Sequence, residues 1–206
     1  MHFDMRALAP ADRYKILAST IVPRPIAWIT SQSAAGARNA APYSFFNAMG
    51  PDPATIVLGM LARSDGTLKD SDRNILETGE FVVNLVSEAD APAMNQTCID
   101  APPDVDEIDF AGIAVIPSTV VTPPRIASAP VAFECRLTQR VVLGPGQTLV
   151  IGEVLAAHVQ DRFVIDPVRC HIDTPAMDLI GRVHGAGWYT RTKDVFQLAR
   201  PSWPKE

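Results

Sequence analysis

Residues 148–159, TLVIGEVLAAHV, constrain the fold more than any other stretch because both faces of the predicted strand are apolar. Such a strand is buried on both sides, as in the wall of a barrel that a helix or a second subunit covers. Residues 131–137 alternate with the period of a strand, so that their odd-numbered apolar side chains share one face. The turn sequence GPGQT at 144–148 predicts that the two strands form a hairpin.

The remaining segments predict short elements joined by stiff connections, since 18 of the 206 residues are proline. Helices are predicted over 10–19, 69–80 and 90–97, and strands over 23–31, 41–53, 55–62 and 80–87. Asp70 or Ser71 is expected to cap the second helix, and Gly79 to end it. Six or seven strands without a repeat or a linker indicate one domain over residues 1–206, a mainly β, closed antiparallel barrel with peripheral helices.

Charge and composition exclude several classes of function. The formal net charge is −5 and no basic block occurs, which argues against nucleic acid or an anionic membrane as a partner. No apolar run reaches the ~20 residues of a membrane span, and the N-terminal residues lack the apolar region of a signal peptide. Cys98, Cys135 and Cys170 form no CxxC pair, so we expect free thiols in a reducing cytoplasm.

Common catalytic and metal-binding motifs are missing from the sequence. It contains no P-loop, HExxH or GxSxG, and residues 181–187, GRVHGAG, carry only a fragment of the dinucleotide-binding pattern. The four histidines are scattered, so no metal site is expected, and His158 is predicted to be a core histidine with a satisfied ring. The acidic run at 100–109 is interpreted as a solvated loop, with a lid over a site as the alternative.

Two local clusters could bind a ligand. Residues 41–53, APYSFFNAMGPDP, would offer polar groups to a flat ligand if the backbone bends there; the alternative is an aromatic core with polar capping groups. Residues 68–75 place Lys69 at a predicted helix start, which favours an anion, although Asp70 and Asp72 oppose this and an ordinary capped helix is the alternative. Together the clusters suggest a ligand with a phosphate at one end and a ring system at the other.

From about Tyr14 to Pro201 the chain resembles the flavin reductase-like family, FMN-binding split-barrel proteins of the flavoredoxin type. The resemblance is carried, in order, by PRPIAWITS, GARNAAPYSFFNAMGPDP, KDSDRNILETGEFVVNLV, EIDFAGI, IGEV and LIGRVHGAGWY. It implies a six-stranded antiparallel split barrel, usually a homodimer. The cofactor-binding residues that it implies are Thr30, Ser31, Asn39, Ser44, Phe45, Phe46, Asn47, Lys69, Asp70, Ser71 and Asn74. On the substrate side it implies Arg182, His184 and Tyr189, and it identifies no catalytic residue.

The function that this resemblance implies is that of an NAD(P)H:flavin reductase. Bound FMN would take a hydride from NADH or NADPH and pass it to free flavin or another small acceptor, and the product could serve a partner monooxygenase. Two alternatives stay open. One is an FMN electron carrier without NAD(P)H activity, and the other is an FMN enzyme that acts directly on a small aromatic substrate.

Overall fold

A computed structural model describes residues 1–102 and 105–203 of the chain. The α-helices are α1 Pro10–Thr20, α2 Asp70–Thr78, α3 Ala91–Gln96 and α4 Glu107–Phe110, and short 3-10 turns lie at Asp161–Phe163 and Pro175–Met177. The strands are β1 Arg24–Pro25, β2 Ala27–Gln32, β3 Arg38–Tyr43, β4 Phe46–Pro51, β5 Ala54–Leu61, β6 Glu80–Leu85, β7 Val115–Ile116, β8 Arg125–Ile126, β9 Val131–Gly144, β10 Gln147–Val159, β11 Val164–Asp166, β12 His171–Ile172, β13 Ile180–Arg182 and β14 Tyr189–Arg191.

The central sheet has seven antiparallel strands in the order β3-β2-β6-β9-β10-β5-β4. Its two edge strands, β3 and β4, are consecutive in the chain and are joined by Ser44 and Phe45 alone. Two residues reach across the gap only if the sheet curls back on itself, so the sheet forms a barrel that is split between β3 and β4. The predicted mainly β split barrel is confirmed, although the sheet has seven strands and not six.

Both faces of the sheet are buried near β2. Ala27 and Ile29 point to one side and pack with Phe81, Leu58 and Val150 inside the barrel, where Ile75 of α2 joins them. Trp28 points to the other side and packs with Met94 of α3 and Ile108 of α4. Its indole N–H also donates to the Thr97 hydroxyl at 3.0 Å, which fixes the segment that follows α3.

The β9–β10 hairpin has the predicted turn, with Pro145 and Gly146 between the strands. Within a single chain β10 is buried on one face, where Val150 and Gly152 lie, whereas Leu149 and Ile151 on the other face are half-buried. The predicted two-sided burial therefore requires the second subunit that the sequence analysis named. On β9 the face expected to be polar is also covered, since Glu134 is fully buried.

The Glu134 carboxylate is satisfied by three neighbouring groups. It accepts hydrogen bonds from the backbone N–H groups of Thr119 and Val120 at 2.8 and 2.6 Å, and its Oε1 lies 2.6 Å from His158 Nε2. The contact with Glu134 confirms that the His158 ring is satisfied, whereas the predicted core position is wrong, because the side chain is 27% exposed.

Helix α2 begins differently from the prediction. Lys69 occupies the N-cap position and no side chain caps the helix, so the expected capping by Asp70 or Ser71 is wrong. The Ser71 hydroxyl donates instead to Asn39 on β3, at 2.7 Å. Gly79 ends the helix as predicted, with a φ of 74° in the left-handed region that a side chain would strain.

The described residues also bear on the strand at 23–31, on the cysteines and on two expected absences. Strand formation over 23–31 is interrupted at Ile26, which divides it into β1 and β2. All three cysteines are free, and no cluster of metal-ligating side chains occurs within residues 1–102 and 105–203. None of the described helices has the length and apolar character needed to cross a membrane.

Candidate functional site

A cavity of about 270 Å³ opens where the chain bends from β3 to β4. The N-terminus of α2 forms one end of it, and the segment that follows α3 covers part of it. Its described lining residues are Tyr14, Asn39, Ala41, Pro42, Tyr43, Ser44, Phe45, Gly59, Leu61, Arg63, Lys69, Asp70, Ser71, Thr97, Cys98, Ile99, Asp100, Ala101 and Glu107.

The bend at Ser44 and Phe45 gives the cavity its aromatic wall. Regular strand geometry is lost there, as the sequence analysis considered, and the Phe45 carbonyl accepts from the Gly59 N–H of β5 at 2.7 Å. A Cβ on Gly59 would lie 2.9 Å from the Cβ of Phe45, so this close approach requires glycine. The Phe45 ring packs against Tyr14 of α1 with 5.9 Å between centroids.

The other end of the cavity is suited to an anion. Helix α2 starts without a side-chain cap, which leaves its first backbone N–H groups free for a ligand, and the helix dipole adds partial positive charge. Lys69 lines the cavity at this point, and no salt bridge to its ammonium group occurs among the described residues.

The adjacent carboxylate of Asp70 does not cancel this positive charge. Arg63 donates to Asp70 Oδ2 at 2.6 Å, and Arg73 donates to Oδ1 of the same carboxylate. Arg63 also donates to the Leu68 carbonyl at 2.6 Å, which fixes the turn before α2. Asp70 therefore organises the arginines around the helix start.

A buried polar network connects the helix start to β3 and α4. Ser71 donates to Asn39 Oδ1, and Asn39 Nδ2 donates to Glu107 Oε2 at 2.9 Å. Glu107 is 5% exposed, and this burial raises the pKa of its carboxyl group. The acidic segment is thus not simply a solvated loop, although Pro103 and Asp104 lie outside the described residues.

Tyr43 brings an unpaired hydroxyl to the same end of the cavity. Its side-chain oxygen is buried and has no hydrogen-bond partner among the described residues, and the neighbouring Ser71 hydroxyl donates to Asn39. Burial raises the pKa of the Tyr43 phenol, so that it remains a hydrogen-bond donor at neutral pH. A ligand acceptor at this point would satisfy it.

The predicted cofactor residues divide into two groups. Asn39, Ser44, Phe45, Lys69, Asp70 and Ser71 line the cavity, whereas Thr30, Ser31, Phe46, Asn47 and Asn74 do not. The buried Thr30 hydroxyl donates to the Pro124 carbonyl, and Ser31 accepts from Asn74 at 3.2 Å. Phe46 packs in the barrel core, and Asn47 is exposed and accepts only from the adjacent Ala48 N–H.

Several cavity residues were not predicted from the sequence, namely Tyr14, Tyr43, Arg63, Cys98 and Glu107. Tyr43 lies within the aromatic segment already singled out, which is the only local signal for it. Glu107 lies in the acidic run for which a lid over a site was the alternative, and that alternative is the local signal for it. No local pattern indicates Arg63.

The three residues predicted for the substrate side do not lie together. Arg182 and Tyr189 line a second cavity of about 200 Å³, which shares five lining residues with the first one, namely Tyr14, Pro42, Tyr43, Ser44 and Cys98. The Arg182 guanidinium lies 4.8 Å from the centre of the Tyr189 ring. His184 does not line either cavity; it is exposed and stacks on Trp188 in the turn between β13 and β14.

Several proteins of known structure have the same fold as this chain, and two of them also have a similar sequence. Nitrilotriacetate monooxygenase component B from Bacillus cereus is 32% identical, with a TM-score of 0.90 over 96% of this chain and 98% of that one. The 2-nitrobenzoate 2-nitroreductase of Pseudomonas fluorescens is 33% identical, with a TM-score of 0.89 over 100% and 99%. A putative flavin reductase with a split barrel domain from Shewanella frigidimarina has a TM-score of 0.81 over 99% and 100%, and its 22% identity supports the fold alone.

The flavin reductase like domain family matches residues 18–168, which contain the whole central sheet and both ends of the 270 Å³ cavity. The chain belongs to the flavin reductase-like family.

Proposed function

We propose that the protein is an FMN-dependent oxidoreductase that works as an NAD(P)H:flavin reductase. The observation that carries this proposal is the 270 Å³ cavity, in which an uncapped helix start and Lys69 lie at one end of an aromatic wall. Membership of the flavin reductase-like family supports a flavin, and the positively charged end of the cavity favours FMN, whose phosphate is a monoester.

The chemistry of the lining residues fits this cofactor. Lys69, the Ser71 backbone N–H and the unpaired Tyr43 hydroxyl would bind the phosphate, because all three are donors at the same end. Phe45 and Tyr14 would hold the ring system, and Ser44 offers it a hydroxyl. Phe46, Thr30, Ser31 and Asn74 would act indirectly by fixing β2, β4 and α2.

Asn47 is the predicted ligand whose placement fits least, since its side chain is exposed and accepts from its own neighbour. We propose that the Asn47 side chain does not contact the cofactor.

FMN held in this cavity would supply the hydride chemistry, with NADH or NADPH as the reductant and free flavin or another small molecule as the acceptor. The residues of this chain would bind and orient the flavin and exclude water from the site. No nucleophile is required, which agrees with the lack of a catalytic motif, and no residue is assigned a catalytic role.

A second candidate function is direct reduction of a small aromatic compound by the loaded protein. The 33% identity to a 2-nitrobenzoate 2-nitroreductase favours it, just as the 32% identity to a monooxygenase component B favours supply of a partner monooxygenase. For either function we expect the protein to be a homodimer in the cytoplasm.

Steady-state NAD(P)H oxidation, measured with and without added free FMN, separates these functions. Turnover that rises with free flavin supports the reductase. Bleaching of bound flavin by NAD(P)H without its release, and turnover only with an aromatic acceptor, supports the second candidate. A bound flavin that NAD(P)H cannot bleach would contradict both and indicate an electron carrier.

A further inference from the structure

The chain beyond β14 carries large apolar side chains that stay exposed in the single chain. Its start is anchored, because Thr192 hydrogen-bonds to the Leu179 carbonyl and Lys193 forms a salt bridge at 2.8 Å. We call residues 194–203 the C-terminal arm. All of them are exposed, and within the described part of the chain none of them forms a hydrogen bond or a salt bridge. An extended segment of this length spans up to about 33 Å, so the arm can reach beyond its own subunit.

The arm has an apolar face that ends in a positive charge. Phe196 and Leu198 are 85% and 80% exposed, and Arg200 has no salt bridge among the described residues. In an extended conformation, which Pro201 favours for the residue before it, these three side chains share one face because successive positions alternate. The arm therefore presents two apolar side chains and then a positive charge, at a spacing of two residues.

The outer face of β10, formed by Leu149, Ile151 and Glu153, repeats this pattern with the opposite charge. These side chains point away from the barrel core, because Val150 between them packs inside it. All three are half-buried in the single chain. Arg136 of β9 lies opposite Glu153 in the register, yet neither forms a salt bridge within the described residues. This face therefore presents two apolar side chains and then a negative charge.

A second copy of this chain is the partner that covers both surfaces at once. In one chain the arm is exposed and the outer face of β10 is half-buried, so the arm does not lie on its own β10. In a two-fold dimer each arm would cover β10 of the other subunit, and the contact would occur twice. One phenylalanine buries about 150–250 Å², so the two contacts, counted on both surfaces, reach on the order of 1,000 Å², the area that a stable interface needs.

We propose that the C-terminal arm of one subunit packs along the outer face of β10 of the other subunit and that Arg200 pairs there with Glu153. The order of the two patterns requires the arm to run in the same direction as β10. The inference rests on the homodimer expected above and goes beyond it, because it names the two surfaces that meet. It is independent of the flavin assignment.

Reversal of the two charges tests the pairing. Glu153→Arg and Arg200→Glu, each alone, should raise the Kd of the dimer roughly tenfold, because like charges then meet at both contacts. Analytical ultracentrifugation measures this Kd, and circular dichroism checks that each variant is folded. The double variant Glu153→Arg/Arg200→Glu should return to within about threefold of the wild type, since its charges are again opposite. Arg200 lies on the exposed arm, so Arg200→Glu carries the test alone if Glu153→Arg does not fold.

A mixture of the two single variants shows whether the contact joins two chains. In a mixed dimer of Glu153→Arg with Arg200→Glu, each arm meets a β10 of opposite charge. The equimolar mixture should therefore form dimers with nearly the affinity of the wild type, whereas a contact within one chain would not be restored by mixing.

The apolar half of the contact has its own matched control. Phe196→Ser should raise the Kd of the dimer roughly 10- to 100-fold, because a buried aromatic side chain dominates a small interface. Val195→Ser changes the neighbouring apolar position, which is also exposed but falls on the other face of an extended arm, and should leave the Kd unchanged.

Three results would overturn the proposal, and they differ in what they leave standing. An unchanged Kd in Arg200→Glu and in Phe196→Ser would remove the arm from the interface and leave the homodimer intact. Restoration in the double variant but not in the mixture would place the arm on its own chain. A wild type that is monomeric at all concentrations would remove both the arm contact and the homodimer.

Discussion

Lys69 occupies the N-cap position of α2, and its ammonium group also lines the cavity. A typical N-cap side chain would accept the helix's own N–H groups, and a lysine cannot. The first turn therefore keeps its donors for an anion. The sequence predicted an anion site at this helix start, and that stays a prediction. The pairing of Asp70 with Arg63 and Arg73 could not be predicted, because it depends on the turn before α2 and on the helix itself.

Replacement of this lysine tests the phosphate end directly. Lys69→Ala should weaken FMN by about 1.5–3 kcal/mol, the value of a charge-assisted contact, and should leave riboflavin nearly unchanged because riboflavin has no phosphate. Fluorescence titration with both ligands measures the difference. Lys15→Ala, at an exposed position on α1, is the control. Equal losses for both ligands would remove the phosphate role of Lys69.

Glu107 gives the site a pH-dependent stability. Burial raises the pKa of this carboxyl above its ordinary value of 4.5, so the folded chain holds a proton that the unfolded chain releases. The free energy of unfolding therefore falls as the pH rises from about 4.5 through the raised pKa. Glu107→Gln keeps an acceptor for Asn39 and removes this dependence.

Thermal unfolding between pH 4 and pH 8 checks this prediction. The difference in melting temperature between Glu107→Gln and the wild type should shift in favour of Glu107→Gln as the pH rises. For Glu77→Gln, at an exposed position on α2, this difference should not change with pH. A difference between Glu107→Gln and the wild type that stays constant with pH would contradict it.

Among the secondary-structure elements, the bend between β3 and β4 determines the shape of the site. The sequence predicted one strand over residues 41–53 and considered a bend only as a condition for ligand binding. The single strand is wrong, because Ser44 and Phe45 leave the strand geometry and separate β3 from β4. The contacts of this bend could not be predicted, because Gly59, Arg63 and Glu107 reach it from β5, the turn before α2, and α4. Such contacts depend on the curl of the sheet and not on local pattern.

Gly59→Ala should disturb this bend. Its Cβ would lie 2.9 Å from the Cβ of Phe45, which cannot rotate away, so we expect a loss of about 1–3 kcal/mol in stability together with weaker FMN binding. Urea unfolding and FMN titration measure the two effects. Gly50→Ala on β4 is the control, since nothing lies within 4 Å of its added Cβ. Unchanged FMN affinity in Gly59→Ala would show that the bend does not shape the site.

At the scale of the whole molecule, several large apolar side chains are left in contact with solvent. Val142 and Leu143 near the β9–β10 turn are 66% and 61% exposed, and Phe196 and Leu198 after β14 are 85% and 80% exposed. The half-buried outer face of β10 adds to them. The sequence predicted that a second subunit could cover β10, and a single chain leaves that expectation open.

We expect the protein to be a homodimer in solution. Light scattering after size exclusion at micromolar concentration should give twice the 22.3 kDa of one chain. Val142→Ser combined with Leu143→Ser should weaken the dimer if the hairpin is part of the interface, and Val168→Ser, another exposed apolar position, is the comparison. A monomer at all concentrations would contradict the expectation.

The most direct measurement of the central claim is a titration of the flavin-free wild-type protein with FMN and, separately, with riboflavin. We expect one FMN to bind per chain, with quenching of flavin fluorescence, and riboflavin to bind at least tenfold more weakly. Binding of neither flavin would contradict the assignment of the 270 Å³ cavity as a flavin site.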